Sequence, residues 1–162
     1  MISYQYSKRI LKKAIIKIKD ENIKSMNSLN RVVSKNVYSG INYPSGDNAA
    51  FDGYAINSND TKNIKKNLPK KFKIIGLIAA GNKPFKKKIK KYDTVEIMTG
   101  GIIPKGFDTI IPIEKIIFYP NKKNILIDKK ITKYNHIRFA GSDFKKKEIV
   151  VKKNTVIQQN HI

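Results

Sequence analysis

From residue 72 onward, apolar residues come in short runs, each closed by a turn residue. "FKIIGLIAAG" alternates well enough for a strand and stops at Gly81, and "TVEIMTGG" reads as a strand entering a glycine pair. "DTIIPIEKIIFY" reads as one or two strands interrupted at Pro112, which suits a sheet edge because proline has no N–H to give a neighbour. "NILI" after "PNKK" is the return arm of a hairpin. "KEIVVKKNTVI" is two short strands around a turn in which Asn154 takes positive φ. Several strands at close spacing, with turn signals between them, predict a small β-barrel or sandwich.

Ahead of these strands the pattern is different. Ile10, Leu11, Ala14, Ile15 and Ile18 fall on one stripe at helical period, with lysines opposite, so the spacing predicts a helix over 7–19. Residues 28–39 read as a short helical or turn piece running into an extended segment, and Pro44, Gly46 and Asp47 mark a firm turn. The fold class is therefore α+β, mainly β: a barrel-like unit with a helix-bearing segment on its N-terminal side. With 162 residues and 40% hydrophobic content, the chain has enough apolar surface to fill a core. It has no cysteine, which excludes disulfides, thiolate metal sites and a cysteine nucleophile. No apolar run approaches the roughly 18 residues of a membrane-spanning helix, and the N-terminus is too charged for a signal peptide. A cytoplasmic location is expected.

The net charge of +22 raises nucleic acid as a partner, because lysines displace counterions from phosphate. Yet only Arg9, Arg31 and Arg138 are arginine among 34 basic residues, and arginine is the better reader of bases and phosphates. The lysines are scattered through the chain and fall mostly in turns. A solvated, lysine-biased surface is the preferred reading over nucleic-acid binding.

Three segments can carry chemistry. In "NAAFDGYAINSNDT", small residues surround Asp52, and no lysine stands between Asn48 and Tyr54. Asp52–Gly53 is also a strong hairpin signal, which by itself carries no function. "TGGIIPKGFD" has P-loop glycine spacing between Gly101 and Gly106, but Phe107 and Asp108 stand where Lys and Ser/Thr belong. Its bland reading is a hairpin connection whose glycines supply positive φ. Thr99, a hydroxyl before two glycines at a strand end, can meet an oxyanion. "RFAGSD" offers Arg138 and Asp143 around Gly141, or else only a surface ion pair. His136 and His161 lack partners at metal-ligand spacing and are set aside.

In order and spacing, these segments resemble the molybdenum insertase family, the MoeA and gephyrin E-domain proteins. The family's stretch ending N-S-A-M-D-G-Y-A stands here as "NRVVSKNVYSGINYPSGDNAAFDGYA", residues 30–55. A strand ending in A-G follows as "IAAG", then the family's I-M-T-G-A-x-x-P-x-G-x-D as "IMTGGIIPKGFD", and finally R-x-x-G-E-D as "RFAGSD". Phe51 replaces a methionine, Ser142 replaces an acid, and lysines around Lys146 and Lys147 replace a glycine.

The resemblance implies a molybdopterin molybdenumtransferase: transfer of molybdate-derived molybdenum into adenylylated molybdopterin in molybdenum cofactor biosynthesis, with magnesium as the divalent cation. It implies a discontinuous helix-bearing domain, 1–44 plus 135–162, with a β-barrel-like domain, 45–134, inserted in it. The family's pterin-binding and C-terminal domains are expected to lie outside this chain, leaving it without turnover by itself. The family is dimeric, with its cleft completed by the pterin-binding domain of the partner subunit. It implies catalytic roles for Asp52, Thr99 and Asp143, and magnesium ligation by Asp52 and Asp143. Substrate contacts would come from Gly53, Tyr54, Arg138 and the amides of Gly100 and Gly101. The readings from other classes are a non-catalytic dimerisation or interaction module and a basic nucleic-acid-binding domain.

Overall fold

The structure is a computed structural model that describes residues 1–14, 18–82, 85–118 and 123–162. It divides into two compact units, residues 1–37 with 149–162, and residues 38–148.

The first unit holds the helix α1 (Tyr4–Lys13). Ser3 caps it by accepting the N–H of Tyr6, and Lys12 and Lys13 in the last turn suit the negative end of the helix dipole. The helix starts and ends earlier than the stripe of isoleucines predicts. Ala14 already leaves helical geometry, Ile15 lies outside the described residues, and Ile18 is not helical. The serine cap fixes the start, and no helical residue is buried: Ile10 and Leu11 remain exposed. β1 (Val37–Tyr38) forms a two-stranded sheet with β10 (Ile149–Val151). Asn154 takes the expected left-handed turn at φ 67°, but the two arms of the C-terminal segment do not pair with each other: Val156 bridges Val32 instead.

The second unit carries the core. β2 (Asn48–Ala49) pairs with β9 (Ile137–Arg138). The main sheet has six strands: β3 (Gly53–Ile56), β4 (Lys70–Ile78), β5 (Asp93–Ile97), β6 (Thr109–Pro112), β7 (Ile117–Phe118) and β8 (Asn124–Ile127). Their order is β6-β3-β5-β4-β8-β7, antiparallel except between β4 and β5. The edges are β6, which carries Pro112 as expected, and β7, the other half of the interrupted run. A register shift between Ile74 and Leu77 bends β4, and Gly76 within it leaves room for the Phe85 ring. The result is a curled half-barrel.

Both faces of the sheet are covered at its centre. All four residues of β3 are buried, with Ala55 in one apolar cluster and Tyr54 and Ile56 in another. β6 does the same, sending Ile110 to the first cluster and Ile111 to the second. Strands covered on both sides lose their alternation, which is why "TIIP" reads as a continuous apolar run. Thr94 and Thr109 are fully buried, and each hydroxyl donates to a backbone carbonyl, of Ala55 at 2.8 Å and of Thr132 at 2.9 Å. Among the described residues no helix is long and apolar enough to cross a membrane.

Candidate functional site

Three loops meet on the two-residue strand β2. On one side, the Gly100 N–H donates to Ala49 O at 2.9 Å and the Ala49 N–H donates to Gly101 O at 3.0 Å. On the other side, Asn48 pairs with Arg138 and Ala49 with Ile137, and the Ala50 N–H donates to His136 O at 3.0 Å. The segments 48–52, 99–101 and 136–138, far apart in sequence, are thereby stitched together by backbone.

Asp52 stands where the chain enters β3, and Thr99 follows the end of β5. Gly53 pairs with Ile97, which sets the two residues side by side at the ends of neighbouring strands. The Thr99 N–H and the Thr99 hydroxyl both donate to Asp52 Oδ1, each at 2.7 Å. Asp52 is exposed, and its Oδ2 has no hydrogen-bond partner among the described residues. The Thr99 amide, and secondarily the Thr99 hydroxyl, hold the Asp52 carboxyl below the usual carboxylate range. The oxyanion that Thr99 meets is therefore this side chain. Thr99 is a positioning residue that fixes one oxygen of Asp52 and leaves the other facing out.

Asp143 is placed differently. Its Oδ2 forms an ion pair with Arg138 Nη2, and its Oδ1 accepts the Ser142 hydroxyl at 3.2 Å. The guanidinium also lies 6.0 Å from the centre of the Tyr43 ring. The Asp143 N–H donates to Tyr43 O at 3.0 Å, which pins the loop to the turn before β2. The glycine that the family resemblance places after this point is not needed here: Lys147 takes the left-handed conformation itself, at φ 71°.

Several expected contacts fall elsewhere. Tyr54 is 2% exposed and packs in a core cluster with Ile56, Phe72 and Ile111. Gly53 is buried, and a Cβ there would stand 2.0 Å from Ile111 O. It is needed for the close approach of β3 and β6, and it lies in a strand, not in a hairpin turn. The Gly100 and Gly101 amides already donate to Ala49 O and Met98 O, so neither is free for an oxyanion. The loop they occupy is no hairpin either, because β5 and β6 both pair with β3 and not with each other. Among the described residues no three His, Cys, Asp or Glu side chains gather to hold an ion.

Two residues that the sequence offers only as a turn former and as a histidine set aside also lie beside these loops. Asp47 accepts the Ala140 N–H at 2.8 Å and so ties the start of β2 to the Arg138–Asp143 loop. Its place in a Pro-Ser-Gly-Asp turn signals a loop-forming carboxylate, though not its distant partner. His136 packs edge-on against Phe51, ring centres 4.9 Å apart, beside Asp52.

The sequence profile of the MoeA N-terminal region (domain I and II) matches residues 2–162. This chain belongs to that family. It is 35% identical over 123 residues to the molybdopterin molybdenumtransferase of Haemophilus influenzae, covering 75% of this chain and 28% of that protein. To the same-named enzyme of Staphylococcus aureus (strain Mu50) it is 30% identical over 135 residues, 83% of this chain and 32% of the relative. The crystal structure of the molybdopterin biosynthesis moeA protein from Pyrococcus horikoshii OT3 superposes with a TM-score of 0.87 at 27% identity, covering 99% of this chain and 42% of that one. The chain thus spans about a third of the length of the curated MoeA relatives it matches.

Proposed function

We propose that this chain acts in molybdenum cofactor biosynthesis as the N-terminal part of a molybdopterin molybdenumtransferase. Its substrates would be molybdate and adenylylated molybdopterin, and it would work against a pterin-binding region in a homodimer. The observation that carries the reading is the Asp52–Thr99 pair: an exposed carboxylate, kept ionised by two neutral donors, with one oxygen left open.

Such a group is a poor proton acceptor. A general base works best with a pKa near the operating pH, and Thr99 pushes Asp52 the opposite way. A fixed negative oxygen facing anionic substrates is useful when a cation stands between them. Magnesium held by Asp52 and Asp143 together does not fit the donor set, because Arg138 already neutralises Asp143. Asp52 alone offers one oxygen, which suits an ion held chiefly by substrate oxygens. Arg138 supplies the complementary function. Asp143 takes one of its N–H groups and fixes the guanidinium, and its remaining donors are available to a substrate oxyanion. The two acids thus serve different ends: Asp52 presents a charge, and Asp143 orients an opposite one.

The test is molybdenum transfer to adenylylated molybdopterin, with the remainder of a MoeA relative supplied in trans. The chain by itself is expected to give no transfer. With the remainder added, Asp52→Asn should lower the rate by about 100-fold or more while leaving the fold intact. Undiminished transfer by Asp52→Asn, or no transfer by the native chain in trans, counts against the proposal.

A further inference from the structure

The six-stranded sheet stops short of a closed barrel. Its edges, β6 and β7, are joined by the turn at residues 113–116, and among the described residues no ladder pairs them. In the gap lies a cavity of about 270 Å³, walled by both edge strands, by β8 and by the segment that follows β8.

The cavity has two distinct parts. Its floor is isoleucine, with Ile111 and Ile127 almost fully buried and Ile116 half-buried beside them. Its rim carries Lys115, Lys129 and Lys130 against a single acid, Asp128. Lysines are common across this chain, so the rim alone says little. What the cavity adds is the apolar floor beside the rim, so that a charge and an apolar surface face the same space.

Size limits the occupant. A strand added to the open edge would advance about 3.3 Å per residue and quickly outgrow this space. Water at about 30 Å³ per molecule would fill it with several molecules, and those over Ile111, Ile116 and Ile127 would find no side-chain partner on that floor. Binding pockets combine an apolar lining with a few charged groups that set orientation, and this cavity is at the small end of that class. We infer that the opening of the half-barrel binds a small anion with an apolar body, a single ring or short acyl chain bearing a phosphate or carboxylate. The apolar part sits on the isoleucines and the charge meets the lysine rim. His136 lines the same cavity while packing on Phe51, so an occupant touches a residue one contact from the Asp52 corner.

Phenyl phosphate is a suitable probe, read by NMR of isoleucine methyl groups in the full chain. Saturable shifts are expected at Ile111, Ile116 and Ile127, with a dissociation constant on the order of 1 mM for a ligand this small. Ile78 and Ile97, in the other apolar cluster, should stay still. The exposed double substitution Lys129→Glu/Lys130→Glu should weaken binding about tenfold or more without unfolding the protein. Inorganic phosphate should leave the methyl groups unmoved, and benzyl alcohol should bind distinctly more weakly. The inference is overturned by an absence of saturable shifts, by equal shifts in both clusters or by indifference to the charge reversal. Equal response to inorganic phosphate or to benzyl alcohol overturns it as well.

Discussion

Two carboxylates of the MoeA motifs, Asp52 and Asp143, sit in loops, and each accepts a neighbouring hydroxyl, from Thr99 and from Ser142. Their chemistry diverges because of the second donor. At Asp52 it is a backbone N–H, neutral and aimed at the same oxygen, so the charge survives on an open Oδ2. At Asp143 it is the Arg138 guanidinium, which cancels the charge. A residue type in a motif therefore does not name its role. The partner does, and each partner here comes from a different segment.

Glycine substitution should separate the two corners most sharply. At Gly53 an added Cβ would lie 2.0 Å from Ile111 O and 2.9 Å from Ile111 C. Backbone on the facing strand cannot swing aside as a flexible side chain can, so β3 and β6 must part. Gly53→Ala is expected to lose about 3 kcal/mol or more in urea unfolding, and to loosen Asp52, whose carbonyl accepts the Ile113 N–H at 3.0 Å in that same ladder. At Gly141 the nearest atom to an added Cβ is Lys145 Cγ at 3.4 Å, so only the left-handed φ of 71° opposes it. Gly141→Ala should lose about 1 kcal/mol. Equal losses would mean that the Asp52 corner owes nothing special to the close approach of β3 and β6.

A smaller effect tests how Asp52 keeps its charge. Thr99→Val deletes the hydroxyl donor and keeps the amide, so the titration midpoint of Asp52 should rise toward the ordinary carboxylate range. Thr99→Ser keeps both donors and should restore it. The folded-state value lies below the unfolded one, so this contact stabilises the fold above the ordinary carboxylate range. That stabilisation disappears as pH falls through the folded-state value. Urea unfolding should therefore lose stability on acidification more steeply in the native chain than in Asp52→Asn. A carboxyl NMR titration in which Thr99→Val leaves the midpoint unchanged would remove Thr99 from its positioning role.

The sequence shows some of this and hides the rest for definite reasons. The strands β4, β5 and β8 are legible because each is a short apolar run between turn residues, and Pro112 correctly marks an edge. The pairing β6-β3-β5 is not legible, since it joins residues far apart through contacts that no local pattern encodes. That is why residues 99–108 resemble a hairpin connection yet cross over β3. The helix stripe misleads because periodicity registers amphipathic residues whether or not they find a core, and Ile10 and Leu11 find none. At the site, the loop settings of Asp52, Thr99, Arg138 and Asp143 make them candidates, and the roles expected of them come from the family resemblance. The burial of Tyr54 is not legible because β3 is covered on both faces, which its neighbours in the sequence do not reveal.

The smallest effect expected is at Arg138–Asp143, and its size distinguishes an orienting pair from a stabilising one. Both side chains are substantially exposed, 47% and 33%. Exposed ion pairs contribute at most about 1 kcal/mol, since water screens the attraction and ordering two side chains opposes it. A double-mutant cycle with Arg138→Ala and Asp143→Asn should give a coupling in that range. It should shrink further in about 1 M salt, where the screening length is about 3 Å. The Asp52 midpoint shift on Thr99→Val should respond far less to salt, because both Thr99 donors are neutral and in direct contact. A coupling above about 2 kcal/mol that resists salt would make Arg138–Asp143 a structural strut, and the contrast between the two acids would then lie in stability instead of in the charge each presents.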